Sequence, residues 1–222
     1  MFKLCFLWTK FTIGNLEISS LFHKEDFMDF AQSKTKENLA RAFAAECQDG
    51  ARYQFMAKAA MSEGFSVISD QLKQLAKNEM AHASRLYTLM LEECKGKEDN
   101  VPIEAGYPFE PPELRQSLKT AAEIEEYEAK NIYPSFSRIA KDEGFTEIAE
   151  ALTLIAEVEN RHFNRLKTMA ELYKSGRLYK SNDKTCWTCS NCGHHEEKKE
   201  GWKTCPLCCY PQGYIMLPQL EN

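Results

Sequence analysis

Two Glu-x-x-His tetrads are the residues best placed to do chemistry: Glu79-Met80-Ala81-His82 and Glu159-Asn160-Arg161-His162. Residues three apart on a helix share a face. Each tetrad lies inside an apolar stripe that advances by threes and fours. The first stripe is Ile68, Leu72, Leu75, Glu79, His82, Leu86, Leu89; the second is Ile148, Leu152, Ile155, Glu159, His162, Leu166, Met169. A stripe of this kind points at a core. A charged carboxylate in that position is costly unless it is paired or bound to a metal. The chemistry indicated is therefore metal ligation inside a helical bundle.

Four helices are needed to position these groups. The first is predicted from Thr35 to Ser62, with an inward face of Leu39, Phe43, Glu46, Gly50, Tyr53, Ala57 and Ala60. Gly64 offers a stop. The second runs from Ser66 to Cys94 and carries Glu79 and His82. Lys95 to Pro112 holds Gly96, Gly106 and four prolines, so it reads as a long connection that crosses the bundle. The third helix begins near Pro112 and runs to Lys141, with Pro134 predicting a kink near Ile132. The fourth runs from Thr146 to Lys174.

The two halves repeat. Ser62-Glu63-Gly64-Phe65 echoes Asp142-Glu143-Gly144-Phe145, and each Gly lies fifteen residues before its Glu-x-x-His. Tyr53 and Tyr133 each lie eleven residues before the Gly. A duplicated hairpin follows, with Glu79/His82 facing Glu159/His162 across a pseudo-two-fold axis. One inward Glu is ordinarily a surface ion pair. Two tetrads centred in strict stripes and equidistant from repeated turns are not. The third helix is ambiguous. The repeat aligns Glu46 with Glu126, whereas Glu125 and Glu128 form an i, i+3 pair on the inward line. A one-residue π-bulge reconciles the registers, and Glu125 and Glu128 are taken as the inward pair. A Glu from each of two helices and a Glu-x-x-His from each of the other two is the composition of ferritin-like di-iron and di-manganese sites. These hard ligands suit Fe or Mn.

The C-terminal stretch has a different character. Of nine cysteines, six lie between 186 and 209. Cys189-Ser190-Asn191-Cys192-Gly193 and Cys205-Pro206-Leu207-Cys208 are two C-x-x-C knuckles with twelve residues between them. They form a tetrathiolate site for Fe or Zn. Cys186 offers a competing pair with Cys189, but Gly193 favours 189/192 because it permits the tight knuckle turn. No role is assigned to Cys209. So short and loop-rich a segment needs its metal to fold.

Residues 1–30 match neither region. Met1 to Trp8 is a short apolar run, but Lys10 interrupts it and no Ala-x-Ala-like site follows, which argues against a secretory signal. The expectation is a leader foreign to the domain, with the native start at Met28. The net charge of −5, with no basic block, argues against nucleic-acid binding. No run of 18 apolar residues is present to span a membrane. Clustered cysteines point to a reducing cytoplasm. The organisation expected is a leader (1–30), an all-α four-helix bundle of ferritin-like type (31–178) and a small tetrathiolate metal domain (183–218).

Taken together, Ala45-Glu46 with Tyr53, Glu79-x-x-His82, Glu125-x-x-Glu128 ahead of Tyr133-Pro134, Glu159-x-x-His162 and the two knuckles resemble the rubrerythrins, over about Thr35 to Leu217. The resemblance implies a ferritin-like di-iron domain followed by a rubredoxin-like domain, and a peroxidase that reduces hydrogen peroxide to water. By the same resemblance, Glu79 and Glu159 would bridge the irons. Glu46 would be terminal on one; Glu125 and His162 would lie on the other. Glu128 and His82 would exchange on the first iron. Glu128, Tyr53 and Tyr133 would act in catalysis. The rubredoxin-type iron on Cys189, Cys192, Cys205 and Cys208 would relay electrons, commonly across a head-to-tail homodimer. The donor would be a rubredoxin or a separate NAD(P)H-dependent reductase; no dinucleotide fingerprint is visible in this chain. Two other classes fit parts of the pattern: a ferritin-like ferroxidase or iron-binding protein, and a zinc-stabilised structural module. The tetrathiolate relay argues against the first. A colourless, zinc-loaded protein would indicate the second.

Overall fold

Gly64 and Gly144 set the two hairpins. Both have positive φ, +85° and +91°. In each, the next residue's N–H reaches back to the carbonyl five before it, Phe65 to Ala60 and Phe145 to Ala140. This is a Schellman ending, open to glycine because it lacks a Cβ. The computed structural model describes residues 28–98, 100–109 and 113–220. Residues 1–27 of the expected leader, on which the reading of Met28 as the native start turns, fall outside them.

Helix α1 spans Lys34–Ser62 and α2 spans Ser66–Glu93. After the connection come α3 (Leu114–Tyr127), a π-helical segment (Glu128–Ile132) and α4 (Tyr133–Asp142). Helix α5 spans Thr146–Lys174. The third helix expected from sequence is thus one rod with a π insertion. The Tyr133 N–H donates to the Glu128 carbonyl, an i to i+5 bond. Pro134 follows at the start of α4, where its missing N–H is tolerated. The two hairpins are also tied together: the Glu143 carboxylate accepts from the N–H groups of Lys34 (3.0 Å) and Thr35 (2.9 Å) at the start of α1.

The apolar faces form two clusters. One gathers Leu72, Leu75, Leu118 and Leu166; the other gathers Leu39, Leu86, Ile148 and Leu152. Glu46, Glu79, Glu125, Glu159 and His162 are buried with them. The core is therefore divided by a polar layer halfway along the bundle.

Beyond α5 the chain turns at Gly176, φ +65°. Strands β1 (Lys180–Thr188) and β2 (His195–Glu200) pair antiparallel, with an irregularity between Lys180 and Thr185. The sequence suggested only a polar linker up to Cys186. The strand escapes periodicity because a single side chain along it, Trp187, is buried. Leu178, Leu217 and Leu220 join the first apolar cluster, so the four-cysteine unit sits against one end of the bundle. Among the described residues, no helix is long and apolar enough to cross a membrane.

Candidate metal centres

Each tetrad brings its imidazole to the carboxylates of both halves. His82 Nδ1 lies 2.9 Å from Glu159 Oε1, 3.1 Å from Glu79 Oε2 and 3.2 Å from Glu46 Oε2. His162 Nδ1 lies 2.7 Å from Glu159 Oε2, 3.0 Å from Glu79 Oε1 and 3.7 Å from Glu125 Oε1. Glu79 and Glu159 thus present one oxygen to each histidine. The rings lie 6.0 Å apart and nearly parallel. Two donor groups result, each with atoms within 4.8 Å of one another: Glu46, Glu79, His82, Glu159 and Glu79, Glu125, Glu159, His162. The shared pair, Glu79 and Glu159, has the arrangement of bridging carboxylates.

The site fits cations on its own evidence. Both oxygens of Glu79, both of Glu159, Glu125 Oε2 and His162 Nδ1 are buried and make no hydrogen bond among the described residues. His162 Nδ1 is close to its carboxylates, yet hydrogen-bond directionality is not met. These lone pairs converge on space between them. Buried polar atoms without partners are expensive, and two divalent ions would match the charge of the four carboxylates of the two groups. Without ions, protons carry that load. Burial drives Glu46 up to about 8, with Glu159 and Glu79 adding to the rise and His82 opposing it. Burial likewise drives Glu125 well above the carboxylate range. Burial opposes charge on both histidines, but the facing carboxylates outweigh it and hold each at about 12. Those same imidazoles outweigh the burial of Glu159 and hold it at about 2.

The terminal carboxylates, Glu46 and Glu125, are each held by a phenol. Tyr53 Oη donates to Glu125 Oε1 and Tyr133 Oη to Glu46 Oε1. Both rings are fully buried, and burial beside a carboxylate raises both phenols well above their ordinary range. Each tyrosine therefore joins the α1 hairpin to the other hairpin at the level of the site.

Glu128 lies outside both donor groups. It is half-buried and lines a cavity of about 610 Å³ beneath the 104–108 loop, together with Asp49, Arg52, Tyr107 and Tyr133. Glu126 also faces away from the donors and pairs with Lys130 at 2.5 Å. On the histidine side a second cavity of about 350 Å³ is lined by Asn78, His82, Arg161, His162 and Arg165. Two residues near the site escaped the sequence reading. Asn78 Nδ2 lies 3.1 Å from His162 Nε2. Asp49 is buried on the inward face of α1. Its available signal was its i+3 spacing from Glu46.

The knuckles converge as the spacing predicts. Cys189 Sγ lies 3.7 Å from Cys208 Sγ, and Cys192 Sγ lies 3.7 Å from Cys205 Sγ. A tetrahedron with metal–sulfur bonds of about 2.3 Å has edges of about 3.8 Å, so the four thiols fit one ion. Cys186 stands apart and exposed. Gly193 takes φ +75°, and Cys209 takes φ +59° at the matching place in the second knuckle. The N–H of each donates to the first cysteine of its own knuckle, Gly193 to Cys189 and Cys209 to Cys205. Cys209 thus fills a turn position that favours glycine.

The family model for rubrerythrin matches residues 37–170. Rubrerythrin of Clostridium perfringens is 40% identical over 82% of this chain and 93% of its own length. Rubrerythrin of Porphyromonas gingivalis is 33% identical over 82% of this chain and 89% of its own. A solved structure of nigerythrin in a mixed-valence state superposes with a TM-score of 0.55 at 26% identity, covering 92% of this chain and 99% of that one. The donor groups and the thiol tetrahedron accordingly correspond to a di-iron centre and a rubredoxin-type centre. With the bundle matched by the family and most of the chain matched by these relatives, the protein belongs to the rubrerythrin family of iron-dependent oxidoreductases.

Proposed function

We propose that this protein reduces hydrogen peroxide: H2O2, two electrons and two protons yield two waters. The observation that carries the reading is the pair of donor groups joined through Glu79 and Glu159, with a spare carboxylate, Glu128, beside them on the cavity. Two ferrous ions held there would supply the electron pair that breaks the O–O bond. Glu46 would hold one ion with His82, and Glu125 the other with His162. His82 would exchange with Glu128; its side chain is 13% exposed against 4% for His162, which supports His82 as the looser ligand. The cavity beneath the 104–108 loop is a route for a molecule as small as peroxide. Tyr133 and Tyr53 keep one oxygen each of Glu46 and Glu125 hydrogen-bonded and hold phenolic protons near the site.

Electrons would arrive one at a time through the tetrathiolate centre. That unit packs where α2 begins. Ser66 to Glu79 is thirteen residues, about 20 Å of helix. Tunnelling decays exponentially with distance, so a relay from the tetrathiolate unit of a second copy, in a head-to-tail homodimer, serves better than transfer within one chain. The source would be a rubredoxin or an NAD(P)H-dependent reductase. A cytoplasmic setting is part of the proposal, because none of the eight cysteines among the described residues is in a disulfide.

Stopped-flow oxidation of the reduced protein tests the reading. Peroxide should oxidise it faster than oxygen does. Glu128→Ala should slow the peroxide reaction about tenfold or more while the fold persists. Equal rates with peroxide and oxygen would favour a ferroxidase. Zinc in the tetrathiolate site, seen as a colourless protein, would remove the relay.

A further inference from the structure

The π segment changes what the internal repeat says about α1. Tyr53, Gly64, Glu79 and His82 recur eighty residues later as Tyr133, Gly144, Glu159 and His162. The π segment, Glu128–Ile132, inserts one residue just ahead of Tyr133. Residues before the inserted one, Glu128 included, therefore recur at seventy-nine: Glu46 matches Glu125, and Asp49 matches Glu128. The first helix of each hairpin thus carries two acids at i and i+3, and the second carries Glu-x-x-His.

The structure treats Asp49 as part of this layer. It is 5% exposed, one helical turn after Glu46 on the buried face of α1. It lines the same cavity as Glu128. The charges of Glu79 and Glu159 act on it, and after burial it is the foremost influence on Glu128. The cation beside it is Arg52, with Nε 3.7 Å from Asp49 Oδ1, beyond hydrogen-bond range. Across the gap, Glu125 Oε2 and the oxygens of Glu79 and Glu159 have no hydrogen-bond partner among the described residues.

We propose that Asp49 is an eighth ligand of the di-iron centre. It is an exchangeable carboxylate for the ion held by Glu125 and His162, as Glu128 is for the ion held by Glu46 and His82. In this structure both stand withdrawn from the donor groups, Asp49 toward Arg52. Aspartate is one methylene shorter than glutamate, so it binds more weakly than Glu128 does. The proposal rests on the two-ion site and not on peroxide being the substrate.

Anaerobic Fe(II) titration and Mössbauer spectra of the 57Fe-loaded full chain test it without turnover. Asp49→Asn should weaken one of the two bundle Fe(II) ions about tenfold and change one of the two ferrous quadrupole doublets. Asp49→Glu should tighten that ion. Arg52→Gln should leave both ions bound at least as tightly as in the wild type. Wild-type affinities and doublets in Asp49→Asn would overturn the proposal. So would Arg52→Gln reproducing the loss, since Asp49 would then be only the counter-ion of Arg52. If Asp49→Asn does not fold by circular dichroism, Asp49→Glu decides, and an unchanged titration and spectrum overturn it.

Discussion

Three of the donor side chains have a neighbour placed to fix them. Tyr133 holds Glu46, Tyr53 holds Glu125, and Asn78 meets the far nitrogen of His162. Nδ1 of His162 faces the carboxylates, so an ion bound there requires the proton on Nε2. Asn78 must then offer its carbonyl oxygen to Nε2 and its amide to Gln74, the reverse of the pairing in which Gln74 Nε2 donates to Asn78 Oδ1 at 2.9 Å. Asn78→Leu should weaken iron binding by about tenfold to a hundredfold, the usual cost of losing such support. Competition against a ferrous chelator would measure it, and an unchanged affinity would show that His162 needs no orienting partner. Asn78 was silent in the sequence because an amide beside Glu79 looks like any polar helix residue. The Glu and His residues of the donor groups were legible because they interrupt apolar stripes.

At the level of elements, the π segment sets the register of the site. It lets Glu125 point inward while Tyr133, after it, still reaches Glu46. Deleting Lys130, an exposed residue within the segment, should restore a plain α-helix and turn α3 by about 100° relative to α4. Glu125 would leave its donor group. Iron per bundle should fall below two while iron–thiolate absorption persists, as metal analysis and the visible spectrum would show. The other joint between the hairpins is Glu143 at the start of α1. Burial opposes its charge, but the Thr35 hydroxyl and the N–H groups of Lys34 and Thr35 outweigh that and lower its pKa below 4.5. A carboxyl with a depressed folded pKa stabilises above its unfolded pKa, and that contribution fades as pH falls through the folded value. Glu143→Gln should therefore cost about 1 kcal/mol near neutrality, or about 2–4 °C in Tm. The difference from wild type should shrink below about pH 4; a pH-independent difference would mean the charge is not involved. The repeated Glu-Gly-Phe turns announced this hairpin pair, but nothing in them showed that Glu143 also caps α1.

On the scale of the whole molecule, the tetrathiolate unit closes one end of the bundle. The two meet closely at Gly213, where an added Cβ would lie 1.7 Å from the Gly64 carbonyl oxygen. No side chain fits there. Gly213→Ala should lift the unit away and uncover Leu217 and Leu220, which pack with the bundle core. Limited proteolysis between 175 and 180 should accelerate while the iron–thiolate spectrum stays the same. Resistance equal to wild type would show that the two units tolerate a gap.

Sequence alone determined the bundle, the duplicated hairpin, the two Glu-x-x-His tetrads and the four thiols. Each rests on spacing within one helix or one knuckle, where local geometry converts residue number directly into direction. Tertiary structure decided what lies between elements. It set Glu128 apart from the donors, brought Asn78 to His162, and seated Gly213 on Gly64. It also placed β1 where no periodicity marks a strand, since one buried tryptophan leaves no alternation to read. Contacts of this kind join residues far apart in the chain, and their partners are chosen by packing.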